Sequence, residues 1–448
     1  METLNSFHQQ LNALVWGPPI MVLLMGAGLV LTFVTGGIQF RRLAFSFALV
    51  FGRLKSGAEA EGTVTPFQAL STALASTVGV GNIAGVATAI TTGGPGALFW
   101  LLVSGVLGMA TKFAEIAISL RYRERDATGI MRGGAMYVLS KGMGVPWLGS
   151  IFALLAGLAA FGIGNMVQAN SVADAAGAAF GVPAWVTGVV LASATALVIV
   201  GGVTRIAEVT QLLIPTMCGL YLLAASAIVL LHIGEIPGVV NLVLSSAFEG
   251  QAAVGGFAGA TVSQAVRMGI ARGLFSNEAG LGSAPLVHAS AVTDHPVRQA
   301  CFGIVEVFVD TIVVCVLTGF VILSTGVWQS GETGAALSSQ AFQQGLPGEW
   351  GGALMSVALI LFAFSTVIGW AFYGETAMTY LFGTKAAPVY RAVWILFVYL
   401  GATGSLQVIW SVSDTLNGLM VVPNMVAVLG SLPLLKRLIV EFFDRATP

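Results

Sequence analysis

The sequence predicts an all-α polytopic membrane protein: about eleven transmembrane helices, two inverted halves of five preceded by one extra helix. Three observations lead there. The 448 residues are 56% hydrophobic and 9% charged, with a mean hydropathy of +0.90, whereas a soluble domain carries about a quarter charged residues. Apolar runs long enough to cross a hydrocarbon core recur along the whole chain. Two of those runs are interrupted, at matched places, by glycine and polar residues.

In order, the apolar runs cover 15–36, 67–92, 95–120, 147–179, 184–204, 206–232, 258–292, 297–325, 350–382, 388–404 and 405–433. Pro and Gly punctuate them, as in "TGGPGA" at 92–97 and "GVPAW" at 181–185. Abundant Gly, Ala and Ser suit helices packed closely in lipid. Basic residues follow alternate runs: Arg41, Arg42, Arg53 and Lys55; Arg121, Arg123, Arg125, Arg132 and Lys141; Arg205; His295 and Arg298; Lys385 and Arg391; Lys436, Arg437 and Arg445. The intervening loops near 181–184, 233–257 and 326–349 contain no Lys or Arg. The positive-inside rule then sets the N-terminus outside and the C-terminus in the cytoplasm. "RRLAFSFALVFGRLK" at 41–55 has basic ends and helical apolar spacing, which predicts an amphipathic helix on the inner surface or a plain loop. The expected division is 1–62, an extra helix and surface helix; 63–232, the first repeat; 233–435, the second; and 436–448, a cytoplasmic tail.

A net charge of −1 offers no basic face for nucleic acid. Cys218, Cys301 and Cys315 lie in apolar runs and fit neither a disulfide framework nor a metal cluster. The opening "METLNSFHQQLNALVW" lacks a basic n-region, so no cleaved signal peptide is expected.

The second run reads "ASTVGVGNIAGVA" at 75–87, with Gly79, Gly81 and Ala84 in the spacing G-x-G-x-x-A. That spacing marks a dinucleotide site only inside a βαβ unit, and apolar spans surround it here. The seventh run contains "ARGLFSNEAGLGSAP", where Gly280 and Gly282 follow Ser276, Asn277 and Glu278. Unwound backbone at membrane depth is tolerated only where it is buried in protein or lines a cavity. Leaving out the first helix, the two interrupted helices open each five-helix half, with opposite orientation. Such a pair points to a transporter's substrate site. Half-helix N-termini can hold a carboxylate, and unwound carbonyls can hold Na⁺. Simple close packing by glycine is the competing reading.

"GVGNIAGVATAI", "TGGPGALFW", "GMATKFAE", "RGGAMY", "GLFSNEAGLGSAP", "FAFSTVIGWAFYGE" and "DTLNGLMVVPN" occur in this order between about residue 60 and 430. Together they resemble the alanine/glycine:cation symporters, sodium-coupled amino-acid transporters with the LeuT fold. One departure is Ala135-Met136-Tyr137-Val138, where the family usually has Pro-Met-Tyr-Tyr; it bears on gating rather than on transport class.

The resemblance implies roles residue by residue. The amides of Val80 and Gly81 would meet the substrate carboxylate, with Gly79 permitting the unwinding. The Thr77 carbonyl would face the amino group or a sodium ion, and Asn82 would offer its side-chain oxygen to a first sodium. Phe275 and Ser276 would give carbonyls to the amino group, and Ser276 would also ligate that sodium, with Asn277 beside them. A second sodium would lie between the carbonyls of Ala75 and Val78 and the hydroxyls of Ser365 and Thr366. Trp370, one turn beyond Thr366, would fill the side-chain pocket and favour alanine, glycine or serine. Asn165 and Gln168 would either contact substrate or bond neighbouring helices.

Charges inside membrane helices are costly and usually paired or functional. Glu278 would cap a half-helix, bind the substrate amine or carry a proton. Arg267 or Arg272 would pair with Asp414 in an outer gate, and Glu306, Asp310 and Glu375 would be paired within the bundle. The expected function is symport of Na⁺ and a small neutral amino acid, alanine or glycine, into the cytoplasm across a bacterial or archaeal plasma membrane, with no obligate protein partner. A serine or glutamine carrier, or coupling to protons, is the alternative. An enzyme is not expected: H-E-x-x-H and G-x-S-x-G are absent, and the histidines at 8, 232, 288 and 295 are scattered. A channel or sensor built from the same helices is the third class.

Overall fold

The computed structural model describes residues 15–52, 60–249, 261–404 and 407–444. They form a helical bundle. Its first helix, α1 (Pro18–Val34), is followed by a short surface helix, α2 (Leu43–Val50). The expected surface helix is thus helical over 43–50; its end at 53–55 lies outside the described residues. Next come α3 (Pro66–Thr77) and α4 (Gly81–Gly93), two halves of one span bent by 51°. The long helices α5 (Ala97–Arg121), α6 (Pro146–Phe180), α7 (Ala184–Ile199) and α8 (Gly202–Leu231) complete the first half. A two-residue antiparallel ladder pairs Glu124 with Arg132 and Arg125 with Met131 between α5 and α6.

The loop expected at 233–257 carries α9 (Ile236–Phe248). The second half begins with α10 (Val262–Asn277), a non-helical stretch, and the single turn α11 (Pro285–His288). It continues with α12 (Pro296–Ser324), a loop helix α13 (Gly334–Gly345), α14 (Gly351–Phe382), α15 (Ala386–Thr403) and α16 (Val412–Gly430). Residues 436–444 of the stretch expected as a tail belong to α17 (Leu432–Asp444), whose Leu435, Leu438 and Phe442 recur on one face and are buried; 445–448 lie outside the described residues.

Among the described residues, seven helices are long and apolar enough to cross a membrane, or eight with the bent pair taken as one span. The other expected spans fall on α1 and α7, which are apolar but shorter, and on the divided α10–α11. For those three, the expectation of eleven crossings rests on position rather than on length.

The same start signal opens both divided helices. Thr65 and Gln68 at α3, and Thr261 and Gln264 at α10, form capping boxes, each Thr hydroxyl accepting an N3 amide while the Gln carbonyl accepts the Thr amide. The helices then meet through small residues. An added Cβ at Gly269 of α10 would lie 2.3 Å from the Ala97 carbonyl oxygen and 3.0 Å from the Leu101 nitrogen of α5. These neighbours are backbone and cannot swing aside.

Gly269→Val is therefore expected to destabilise the fold by about 1–3 kcal/mol, the usual cost of overpacking. Gly219→Val in α8, where nothing lies within 4 Å, serves as the control. Thermal unfolding of the two purified variants in detergent measures the difference. Equal melting temperatures would show that α5 and α10 do not depend on this close approach.

Candidate functional site

The first break spans Val78–Val80, between α3 and α4. α4 opens in π winding over Gly81–Gly85, and among its first amides that of Asn82 donates back to the Gly79 carbonyl at 3.3 Å. One freed amide is held locally: the Gly79 N–H donates to Asn82 Oδ1 at 2.9 Å. Gly79 admits no side chain, since a Cβ would lie 2.5 Å from Thr366 Oγ1 of α14 and 3.5 Å from Gln168 Oε1 of α6. A Cβ on Gly81 would lie 3.3 Å from the Phe275 ring of α10.

At the second break, Glu278 closes α10 in the left-handed conformation, φ 55°, the only non-glycine with positive φ among the described residues. Such strain persists where the surroundings over-determine it and clusters at functional sites. The Glu278 amide donates to the Leu274 carbonyl at 2.9 Å. Its carboxylate accepts from Trp370 Nε1 at 3.0 Å and from the Ser283 hydroxyl. Glu278 thus ends one half-helix with its backbone, while its side chain holds the tryptophan instead of capping the next. The freed amides beyond it go to Glu115 of α5: Oε1 accepts from Gly280 N at 3.0 Å and Gly282 N at 3.1 Å, and also from Asn424 Nδ2.

Both breaks face one small cavity of about 20 Å³ lined by Thr77, Gly79, Gly81, Gln168, Phe275 and Trp370, with Ser76, Ile163, Glu278 and Thr366. That is room for roughly one water. Trp370 is 1% exposed. Its bond to Glu278 places it against the break and away from a lipid interface. Gln168 donates from Nε2 to the Ile163 carbonyl at 3.0 Å and leaves Oε1 buried without a partner.

Val80 lies on the other side of this cavity's wall. It lines a much wider cavity of about 900 Å³ between α4, α6, α13 and the start of α14, with Asp174, Gln340, Gln343 and Met355. α13 closes over α4, its Ser338 hydroxyl donating to the Ile83 carbonyl at 3.1 Å.

Besides Val80, three further expected substrate contacts do not line the small cavity: Asn165, Asn277 and Ser276. Asn165 turns to α15, Nδ2 to the Trp394 carbonyl at 2.9 Å, the helix-bonding alternative. Asn277 bonds the Thr311 hydroxyl at 3.2 Å and the Ala279 amide at 2.9 Å. The Ser276 hydroxyl donates to Asp310 Oδ2 at 2.9 Å. Asn82 reaches the same carboxylate, Nδ2 to Oδ1 at 2.7 Å, so the two side chains named for a first sodium converge on Asp310. The Thr77 hydroxyl bonds its own helix at Ala73, leaving its carbonyl for any outside role. Of the residues named for a second sodium, Ser365 Oγ donates to the Ala75 carbonyl at 3.2 Å and to the Phe362 carbonyl of its own helix at 2.8 Å, and Thr366 Oγ1 donates to the same Phe362 carbonyl at 3.0 Å and lies beside Gly79. Arg267, Arg272 and Asp414 share a cavity of about 170 Å³ with Trp16 and Phe275. They form no ion pair there, and the Arg272 guanidinium lies 5.8 Å over the Phe275 ring.

Of the acids expected to be paired, two have basic partners. Glu306 takes Lys112 Nζ at 3.1 Å and His288 Nε2 at 3.0 Å, all fully buried. Glu375 takes Arg391 at 2.6 Å and Arg132 at 3.3 Å. Arg132 also bonds Asp126 in the hairpin at 2.6 Å. Burial raises the Asp126 carboxyl, but the Arg132 and Thr128 hydrogen bonds outweigh it and hold the group below its ordinary range. Asp310 bonds only neutral groups.

Arg123 joins the two halves near this arginine cluster. Arg123 donates to the carbonyls of Ala289, Ala291, Glu61 and Thr293 at 3.1, 2.7, 2.8 and 3.3 Å. It thereby ties the strand-like bridges Glu61–Thr293 and Val64–Ala291, which join the entry to α3 with the exit from α11. Met355 of the wide cavity and Glu375 of the arginine cluster lie roughly 30 Å apart along α14, so the wide cavity and the arginine cluster sit toward opposite ends of that helix.

Sequence reasoning missed Lys112 and Glu115, the charged residues inside the apolar run at 95–120, and Arg123 as a clasp. Charge inside an apolar span was the available signal for the first two. Nothing in the sequence says which carbonyls Arg123 reaches.

Comparison with known proteins completes the picture. The family described as "Sodium:alanine symporter family" matches residues 1–447. The chain is 46% identical to the sodium/alanine symporter AgcS of Methanococcus maripaludis, over 95% of this chain and 94% of that protein. It is 36% identical to the probable sodium/glutamine symporter GlnT of Bacillus subtilis, over 93% and 86%. The crystal structure of MhsT in complex with L-phenylalanine shares the LeuT-like fold, with TM-score 0.57 at 13% identity, covering 85% of this chain and 98% of that one.

Glu115→Ala removes the acceptor of the Gly280 and Gly282 amides, at a cost of about 1–3 kcal/mol for each group left unmade. Glu115→Gln keeps a carbonyl oxygen and should melt closer to wild type. Thermal unfolding in detergent ranks the three proteins, and an Ala variant as stable as wild type would show that the amides find other acceptors.

Proposed function

The chain belongs to the sodium:alanine symporter family, and from that premise we propose that it carries alanine, glycine or a similarly small neutral amino acid into the cytoplasm together with Na⁺. The observation that carries this reading is the convergence of both helix breaks and Trp370 on one small cavity of about 20 Å³. The smallest amino acids need the least opening of such a space. The family and its relatives are transporters, which sets the enzyme class aside.

The substrate carboxylate meets the amides of Val80 and Gly81, at the positive N-terminal end of α4, with Gly79 permitting the unwinding. The ammonium faces the unpartnered Gln168 Oε1 and the carbonyls at Thr77, Phe275 and Ser276. Trp370, held by Glu278, bounds the side chain. One sodium lies by Asn82 and Ser276, the other between Ala75, Val78, Ser365 and Thr366. Under the positive-inside orientation, with the N-terminus outside, the arginine-rich end is cytoplasmic and the wide cavity faces outward. The state described is then outward-open, with Arg123 clasping the inner side. Alternating access requires that clasp to release and the cavity of Arg267, Arg272 and Asp414 to close.

Uptake of labelled L-alanine into proteoliposomes tests the reading. Accumulation should require an inward Na⁺ gradient. Accumulation driven by a pH gradient alone, or competition by glutamine stronger than by alanine and glycine, would overturn the ion or the substrate assignment respectively. Trp370→Ala should widen the profile, so that leucine competes for uptake where it does not in wild type; an unchanged profile refutes the pocket. Reversing Arg272 or Asp414 singly should depress uptake, and the double reversal should restore part of it if the pair closes the outer gate.

A further inference from the structure

The apolar helix α1 stops where Gly36 and Gly37 both take the left-handed conformation, φ 63° and 68°. Glycine adopts it without steric cost, and the chain turns there from the span into the single helical turn Ile38–Arg41. Two arginines, Arg41 and Arg42, therefore stand directly at the end of an apolar helix. The last helix, α17, comes back beside them. Between α17 and this corner lies a cavity of about 190 Å³. Arg41, Arg42 and Asp444 give it its charge, and Ile38, Ile439, Val440 and Phe443 give it an apolar wall.

Both guanidiniums are positioned by weak contacts. Arg42 lies 4.0 Å over the Phe443 ring, and that ring meets Phe45 of α2 edge-on at 5.7 Å. The Arg42 guanidinium is thereby stacked between α2 and α17. Arg41 donates from Nη1 to the Gly36 carbonyl at 3.4 Å. A guanidinium carries five N–H donors in a fork that matches phosphate oxygens, and stacking consumes none of them. Two cations and one carboxylate leave the cavity with one positive charge in excess. A single phosphodiester balances it, whereas a free phosphate dianion would overshoot. The surroundings point to a lipid as the carrier of that phosphodiester. Leu29, Val30 and Phe33 of α1, one to two turns before the cavity, are exposed, as is Val440 of α17, and such surfaces suit acyl chains. Lys436 and Arg437, exposed one turn before Val440, add attraction for an anionic surface. Under the positive-inside orientation this corner meets the cytoplasmic leaflet, where anionic lipids give a negative surface potential.

We propose that this cavity binds the phosphodiester headgroup of an anionic phospholipid of the phosphatidylglycerol kind, with Arg41 and Arg42 as its ligands. The bound lipid fills the corner between the end of α1 and α17 and fastens α17 to α2. A ligand that binds only the folded chain stabilises it by mass action. The site is independent of which amino acid and which ion the protein carries.

Native mass spectrometry of the full chain in detergent tests this, with phosphatidylglycerol, phosphatidylethanolamine or phosphatidylcholine of identical acyl chains titrated in. Wild type should hold one phosphatidylglycerol at least tenfold more tightly than either zwitterionic lipid. Phosphatidylglycerol should also raise the melting temperature saturably. Arg41→Gln, at an exposed position and safe for folding, should weaken retention severalfold. Adding Arg42→Gln should bring the loss to tenfold or more. Asp444→Asn removes a charge of the lipid's own sign and should tighten retention, an effect that a merely structural corner would not produce. Arg205→Gln on α8, another exposed cation, should leave retention unchanged. Equal retention of the three lipids overturns the anionic assignment. Protection by inorganic phosphate alone that matches phosphatidylglycerol overturns a lipid as the occupant. Wild-type retention in both Arg41→Gln and the double variant overturns the site, and weaker retention in Asp444→Asn overturns the charge balance on which it rests.

Discussion

The requirement that every backbone polar group at membrane depth find a partner inside the protein governs this structure. Two helices are opened, and their amides cannot be left to lipid. Each break meets the requirement differently. At the first, Asn82 folds back on the Gly79 amide, and the bonds stay within a few residues. At the second, Glu115 reaches across from α5 to take the amides of Gly280 and Gly282. The long helix beside the second break must therefore carry a charge, and that charge draws in others.

Lys112, one turn before Glu115, is wholly buried and bonded to Glu306, which is bonded in turn to His288. The buried charges stand beside the unwound segment, Glu115 bonded to its Gly280 and Gly282 amides. A broken pair of this kind leaves an uncompensated buried charge, which is strongly unfavourable. The support is thus rigid where the substrate cavity must be shaped, while the closing elements lie elsewhere. The Arg123 clasp uses carbonyls at the edges of the broken helices, and Arg132 and Arg391 share Glu375 on α14. The Arg123 contacts lie at helix ends and can separate without unfolding the centre.

Much of the site was legible because unwinding has a local cause. Gly79, Gly81, Gly280 and Gly282 are weak helix formers beside polar residues in apolar runs, and that contrast is visible in the sequence. Ser365, Thr366 and Trp370 followed from spacing on one helix together with the family resemblance. Asn165 and Asn277 could not be sorted from Gln168 by type, since amide side chains bond neighbouring helices as readily as ligands. Asp310 read like Glu306 and Glu375, yet its partners are Asn82 and Ser276, which are remote in sequence.

The sequence by itself determined the membrane class, the order of the helices and the two places where they open, because hydropathy, charge and glycine act over a few turns. Only the tertiary structure decided which charges pair, which amide each carboxylate receives, and which carbonyls Arg123 clasps. Those outcomes depend on distances between helices tens or hundreds of residues apart, where a rotation of one turn replaces one partner with another.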